Sequence, residues 1–128
     1  MKLLLDTHAW LWFVLADKQL SAAARAAIED TSNESFVSMA SVWELGIKLS
    51  LGKYQLATPF DEFLNHAIDG QGFQRLTIEP AHVVRVAQLP FHHRDPFDRL
   101  LIAQALEESA TLVTLDPHAA AYGVATLW

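Results

Sequence analysis

Short uninterrupted apolar runs alternate along the chain with longer stretches in which apolar residues recur every three or four positions. The first run, Lys2–Leu5, stops at Asp6 and predicts a buried strand, and the aromatic-rich AWLWFVLA beyond it reads as core helix. LSAAARAAIED, from Leu20 to Asp30, predicts a helix capped by Ser21 and rich in alanine, the best helix former. Ser35–Ser38 is a second strand, and Met39–Leu51 a helix closed by Gly52. Thr58-Pro59 opens another helix, with proline at its first position, that runs to about Asp69 before Gly70. Phe73–Ile78 reads as a third strand and Pro80 to Gln88 as the helix after it. Asp95-Pro96 starts a strongly periodic helix through Glu108, with Leu100, Leu101, Ala103 and Leu106 on its apolar face. Thr111–Leu115 is a fourth strand, Asp116-Pro117 a short helical turn and Val124–Leu127 a fifth strand. Apolar strands alternating with helices imply βαβ units, a parallel sheet covered on both faces and an α/β fold.

At 128 residues the chain fits one domain, 1–128, able to bury roughly two-thirds of its unfolded surface. Apolar residues make up 52% and charged residues 19%, the balance of a folded core rather than a disordered tail. With no cysteine, disulfides and thiolate metal sites are ruled out, which suits a cytoplasmic location. Lys2 followed by three leucines faintly resembles a leader, but Asp6 and His8 interrupt the apolar run and no basic segment precedes it. Nothing reaches the ~18 to 20 uncharged apolar residues of a membrane span. The net charge of −6 argues against simple coating of nucleic acid, which depends on basic patches. An enzyme that holds nucleic acid through metal ions and a few local cations remains compatible with it.

Ligands of open parallel sheets bind in the crevice beyond the carboxyl ends of the strands. Asp6 ends the first strand and Asp116 the fourth. Glu44 falls in the first turns of the helix after the second strand, and Asp98 in the first turn of the long helix before the fourth. Each acid also has a plain local explanation. Ser41 with Glu44 fits a capping box, Asp95 with Asp98 fits the same geometry around Pro96, and Asp116 could cap a turn opened by Pro117. Asp6 is the hardest to explain locally. If all four converge within ~5 to 6 Å, each ionised pair costs on the order of 3 kcal/mol, and several pairs rival the ~5 to 15 kcal/mol stability of a domain. Such a cluster binds a cation, takes up protons or does not form. Oxygen-only ligands favour Mg²⁺ or Mn²⁺, ions that activate water and stabilise phosphoryl displacement. The chemistry points to a metal-dependent nuclease.

LLLDTHAWLW, VSMASVWELGIKLSLGK, HHRDPFDRLLIAQA and LVTLDPHAAAYGV, in this order and spacing, resemble the PIN-domain toxins of VapC type from bacterial type II toxin–antitoxin systems. The resemblance spans essentially the whole chain. It implies an α/β/α sandwich around a parallel five-stranded sheet and Mg²⁺- or Mn²⁺-dependent endonucleolytic cleavage of RNA. It places the family's essential acids on Asp6, Glu44 and Asp98, with a more variable fourth on Asp116. Thr7 and Thr114 fall at hydroxyl positions that orient the carboxylates, and Asp95 is mainly a helix cap with a possible supporting role. The resemblance also implies a cognate antitoxin protein that blocks the acidic groove, and a homodimer.

Lys48, four residues after Glu44, is expected either to pair with it along the helix or to touch an RNA phosphate. Arg99 points away from Asp98 around its helix, toward a phosphate or a structural salt bridge. Lys53, Arg75 and Arg94 are further candidate phosphate contacts. His8, His92 and His93 lack metal-ligand spacing and read as solvated or hydrogen-bonding side chains. Among Trp10, Trp12 and Phe13, so close together, one ring is expected to be exposed at an interface. Rival functions stand beside the nuclease, among them a phospho-receiver domain, which would want an acidic doublet and a lysine after the last strands that are absent. A haloacid-dehalogenase-type phosphatase would need a second aspartate where His8 stands, and a PIN-like interaction module would bind a partner without catalysis.

Overall fold

The computed structural model describes residues 1–128. Its strands are β1 (Lys2–Leu5), β2 (Glu34–Ser38), β3 (Gln74–Leu76), β4 (Thr111–Val113) and β5 (Thr126–Leu127). They form one all-parallel sheet in the order β3-β2-β1-β4-β5. The helices are α1 (Thr7–Val14), α2 (Ala22–Glu29), α3 (Met39–Ser50), α4 (Phe60–Ala67), α5 (Pro80–Gln88) and α6 (Pro96–Glu107). β1 explains the layering. Leu3 and Leu5 face a core built with Trp10, Ala24, Leu45 and Phe63, whereas Leu4 faces the opposite core built with Leu101, Ile102 and Ala105. Successive strand side chains point to opposite faces, so a fully apolar strand must be covered twice. The α/β/α sandwich with a five-stranded parallel sheet agrees with the sequence expectation. No helix is long and apolar enough to cross a membrane.

The differences from the sequence reading lie at element ends. Strands expected over Phe73–Ile78, Thr111–Leu115 and Val124–Leu127 pair over only two or three residues each. Apolar pattern marks burial, but a strand ends where its neighbour stops offering hydrogen bonds. Pro59 is not the first residue of α4. Its ψ of 148° is extended and its carbonyl accepts the Phe63 N–H at 2.9 Å, so it caps a helix that starts at Phe60. The capping box at Ser41 is also absent. Ser38 caps α3 by accepting from the Ala40 N–H, and Ser41 lies inside the helix, fully buried.

Ser38 does more than cap. Its hydroxyl donates to the Gln104 carbonyl, and the Gln104 amide donates to the Thr77 carbonyl at 3.3 Å. Gln104 is buried in α6 and Ser38 ends β2. This pair therefore sets the distance between the helix carrying Glu44 and the helix carrying Asp98.

The aromatic expectation needs correction. Trp10 is wholly buried, with its indole N–H donated to the Ala67 carbonyl at 3.0 Å, and Trp12 and Phe13 are half-buried against the same core. The exposed rings lie elsewhere: Trp43, edge-on to Phe97, and Phe91.

Candidate active site

β1 and β4 end side by side, and the four acids meet at that carboxyl edge of the sheet. Asp6, Glu44, Asp98 and Asp116 line one cleft of about 340 Å³, together with Thr7, His8, Trp12, Asp95 and Leu115. The topology thus assembles side chains as far apart in the chain as Asp6 and Asp116. Each acid is aimed by a local device. Asp6 is the N-cap of α1, and one of its oxygens accepts the Ala9 N–H at 2.7 Å, leaving the other for the cleft. Glu44 accepts the Thr7 hydroxyl proton at 2.6 Å and pairs with Lys48 Nζ at 3.2 Å. The Thr7 oxygen also lies 3.0 Å from the Ser41 hydroxyl. A hydroxyl has one proton to give, so Thr7 serves Glu44 and receives from Ser41. Lys48 is therefore the intrahelical partner of Glu44, the first of its two expected roles.

Asp98 stands in the first turn of α6, whose N-cap is Asp95; the Asp95 carboxylate accepts from the Phe97 and Asp98 amides at 2.9 and 3.2 Å. Asp95 is the cap expected, and it also reaches the rim of the cleft. One oxygen of Asp116 accepts the His118 amide at 2.9 Å, and the Asp116 amide donates to the Thr114 hydroxyl at 3.0 Å. Thr114 also faces Asp6 and lowers the energy of its ionised form.

Arg99 is a correction. It is 5% exposed, so it reaches neither a phosphate nor a carboxylate. Its guanidinium donates to the carbonyls of Val86, Leu89 and Pro90 and to the Tyr122 oxygen, at 2.7 to 3.3 Å, with the Phe91 ring over it at 4.0 Å. These carbonyls lie at or just past the end of α5, where unpaired carbonyls and the backbone dipole attract a cation. Arg99 is the tertiary cap of that helix. Arg75 is likewise engaged, by Asp69 at 2.9 Å, whereas Lys53 and Arg94 are exposed.

His93 was not picked out as part of the site. Its Nε2 lies 3.0 Å from an oxygen of Asp116, and this nitrogen and carboxylate oxygens of Asp98 and Asp116 all lie within 4.8 Å of one another. The available signal was position, two residues before the Asp95 cap, but a sequence does not say which way a loop folds. His8 stacks on Trp12 with centroids 5.3 Å apart, and the pair forms the aromatic wall of the cleft.

Crowding the acids has an electrostatic cost. Burial, then Asp95, Asp6, Asp116 and Glu44, push the Asp98 carboxyl up to about 7. Burial also raises Asp6, only partly offset by Thr114 and the Ala9 amide. A carboxyl that holds its proton more tightly when folded releases it on unfolding, so stability falls as pH rises from the unfolded value near 4 to about 7. In EDTA, the urea midpoint is expected to drop between pH 5 and pH 8, and added Mg²⁺ to restore it at pH 8. A midpoint that climbs over that range, or ignores Mg²⁺, would contradict this account.

The PIN domain family model matches residues 3–124. The chain is 33% identical over 114 residues to Ribonuclease VapC22 of Mycobacterium tuberculosis (strain ATCC 25618 / H37Rv), covering 88% of this chain and 85% of that protein. Its fold is similar to VapBC2 from Rickettsia felis bound to a DNA fragment from their promoter, with TM-score 0.70, 17% identity, and 99% and 98% of the two chains covered. FitAcB from Neisseria gonorrhoeae gives TM-score 0.65 and 19% identity over 98% and 96% of the chains.

Proposed function

The chain belongs to the PIN domain family, and from that premise we propose that it is a metal-dependent endoribonuclease acting as the toxin of a type II toxin–antitoxin pair. One observation carries the reading: Asp6, Glu44, Asp98 and Asp116 line a single cleft at the carboxyl edge of the sheet. The 33% identity to a ribonuclease over most of both chains gives the substrate class.

The donor set fits Mg²⁺ or Mn²⁺. Asp98 and Asp116 offer carboxylate oxygens within 4.8 Å of one another, with a His93 ring nitrogen at the same spacing, and Asp6 and Glu44 line the same open cleft, with no thiolate and with acids whose burial makes them costly to leave uncompensated. Asp6, Glu44, Asp98 and Asp116 would hold the ion, which supplies an activated water and neutralises charge on the phosphate being cleaved. The remaining work belongs to the chain. Thr7 and Lys48 hold Glu44, the α1 amide holds Asp6 and the His118 amide holds Asp116. Burial and the neighbouring carboxylates hold the Asp98 carboxyl up to about 7 without an ion, so binding of the cation would release the proton it keeps. Trp12 and His8 close one side of the cleft and limit water there.

The partners follow from the same reading. The structural relatives named VapBC2 and FitAcB support a cognate antitoxin partner, and the ribonuclease relative supports RNA as the substrate; that the antitoxin occupies the acidic cleft of a cytoplasmic homodimer is part of the same proposal. The test is incubation of the purified protein with total RNA in Mg²⁺, in Mn²⁺ and in EDTA, beside Asp6→Asn. Cleavage is expected with either ion, and to vanish in EDTA and in the variant. Equal cleavage by both proteins, or none by the wild type with either ion, would overturn the proposal.

A further inference from the structure

We infer that His93 is the positioning residue of Asp116, fixed in one tautomer by the phenol of Tyr122. This rests on the reading of the four acids as a metal site and names how one of them is held.

The Tyr122 oxygen is crowded with donors. Three N–H groups lie within hydrogen-bond distance of it: the backbone amides of His92 at 3.0 Å and His93 at 3.1 Å, and the Arg99 guanidinium at 3.2 Å. All three only donate. A phenol oxygen has two lone pairs, so its accepting capacity is exhausted and its own proton must point outward. Two acceptors are within reach, His93 Nδ1 at 3.1 Å and the His93 carbonyl at 3.4 Å. The ring nitrogen is the nearer and better placed. Burial alone would raise the phenol's pKa, but the His93 and His92 amides and Arg99 outweigh it and hold the group below its ordinary value, which strengthens the O–H as a donor.

If Nδ1 accepts, the neutral imidazole carries its proton on Nε2. That nitrogen is buried and 3.0 Å from Asp116 Oδ2; the approach is out of line for a directed hydrogen bond, and no other group partners it. The imidazole edge still lies at contact distance from that carboxylate oxygen. The other Asp116 oxygen is taken by the His118 amide. Both oxygens of the fourth acid are thus steered, in a cleft otherwise lined by four more carboxylates. A protonated Nε2 cannot ligate a cation, although its spacing from Asp98 and Asp116 would suit a three-ligand set. His93 therefore acts through Asp116. Arg99 directly follows Asp98 and donates to the same phenol, so one hub ties the α6 acid to the Asp116 turn.

The test uses the whole protein and Mg²⁺ affinity by calorimetry. Groups that orient metal ligands typically contribute about 10- to 100-fold to affinity. His93→Ala is expected to weaken Mg²⁺ binding at least about tenfold. His93→Gln, whose amide restores an N–H donor, should stay within a few-fold of wild type. In an Asp116→Ala background, adding His93→Ala should change nothing further. Long-range ¹H–¹⁵N spectra of the wild type should show Nε2 protonated and Nδ1 bare, a readout that survives even if the alanine variant does not fold. The opposite tautomer, an unchanged affinity in folded His93→Ala, or an equal loss in the Asp116→Ala background would overturn the inference. So would an imidazole nitrogen coupling to bound Mn²⁺ in electron spin-echo spectra that disappears in His93→Gln. A wild type that binds neither Mg²⁺ nor Mn²⁺ would instead remove the metal reading beneath it.

Discussion

Asp98→Asn is expected to make the protein more stable in EDTA at pH 8 while lowering RNA cleavage by about three orders of magnitude. The two effects share one cause. The carboxyl is held up to about 7 by burial and then by Asp95, Asp6, Asp116 and Glu44, so at pH 8 it is ionised against that resistance. The asparagine side chain has nearly the same shape and no charge. After allowance for solvent screening of a partly exposed group, the relief is about 2 kcal/mol, or roughly 5 to 10 °C in a domain of this size. The gain should shrink as pH falls toward 4, where the wild-type carboxyl is protonated. Cleavage falls because an ion at such a site contributes several kcal/mol to transition-state stabilisation, and each ~1.4 kcal/mol is tenfold in rate. Thermal unfolding across pH 5 to 8, beside single-turnover cleavage, checks both. A variant that is less stable at pH 8, or that still cleaves at wild-type rate, would show that the acids are not crowded as described.

The second large effect is expected at a residue that never reaches the cleft. Arg99→Ala removes the donor to three carbonyls around the end of α5 and to Tyr122, and strips the Phe91 ring of its cationic partner. Stranding several acceptors in a site that excludes water costs about 3 to 5 kcal/mol, seen as a fall of roughly 10 to 15 °C in Tm. Lysine should not rescue it, because one ammonium cannot span four acceptors fixed by a planar fork. Loss of Mg²⁺ affinity should accompany the instability, since His93 hangs from the same hub. A variant that melts within 3 °C of wild type would contradict the capping role assigned here.

The reasons some of this was legible in the sequence and some was not are physical. Lys2–Leu5 announces a strand buried on both faces because no polar residue interrupts it, and Asp6 stands out because it ends that run. The sheet order and the meeting of acids from four segments agree with the α/β pattern, for parallel strands joined by helices bring their carboxyl ends to one edge. Cap positions were less accessible. Ser38 and Ser41 offer the same hydroxyl, and which one caps α3 depends on where β2 stops, a matter of pairing with β1 and β3. Arg99 was correctly turned away from Asp98 by helical geometry, but its destination is a set of backbone carbonyls, which no side-chain pattern records. His93 was hidden for the same reason. Its partners, Tyr122 and Asp116, come from a turn beyond β4, and only the folded chain brings that turn beneath the loop before α6.

The position of β1 has a bearing on synthesis. The earliest of these five strands in the chain becomes the middle of the sheet, and one of its edges stays bare until Thr111–Val113 exists to fill it. Asp116 follows three residues after that. A growing polypeptide therefore has no complete acidic cleft until almost all of these residues have left the ribosome, and a message broken or stalled earlier yields only fragments lacking at least one acid. If the four acids are the cutting site proposed above, unfinished copies lack it.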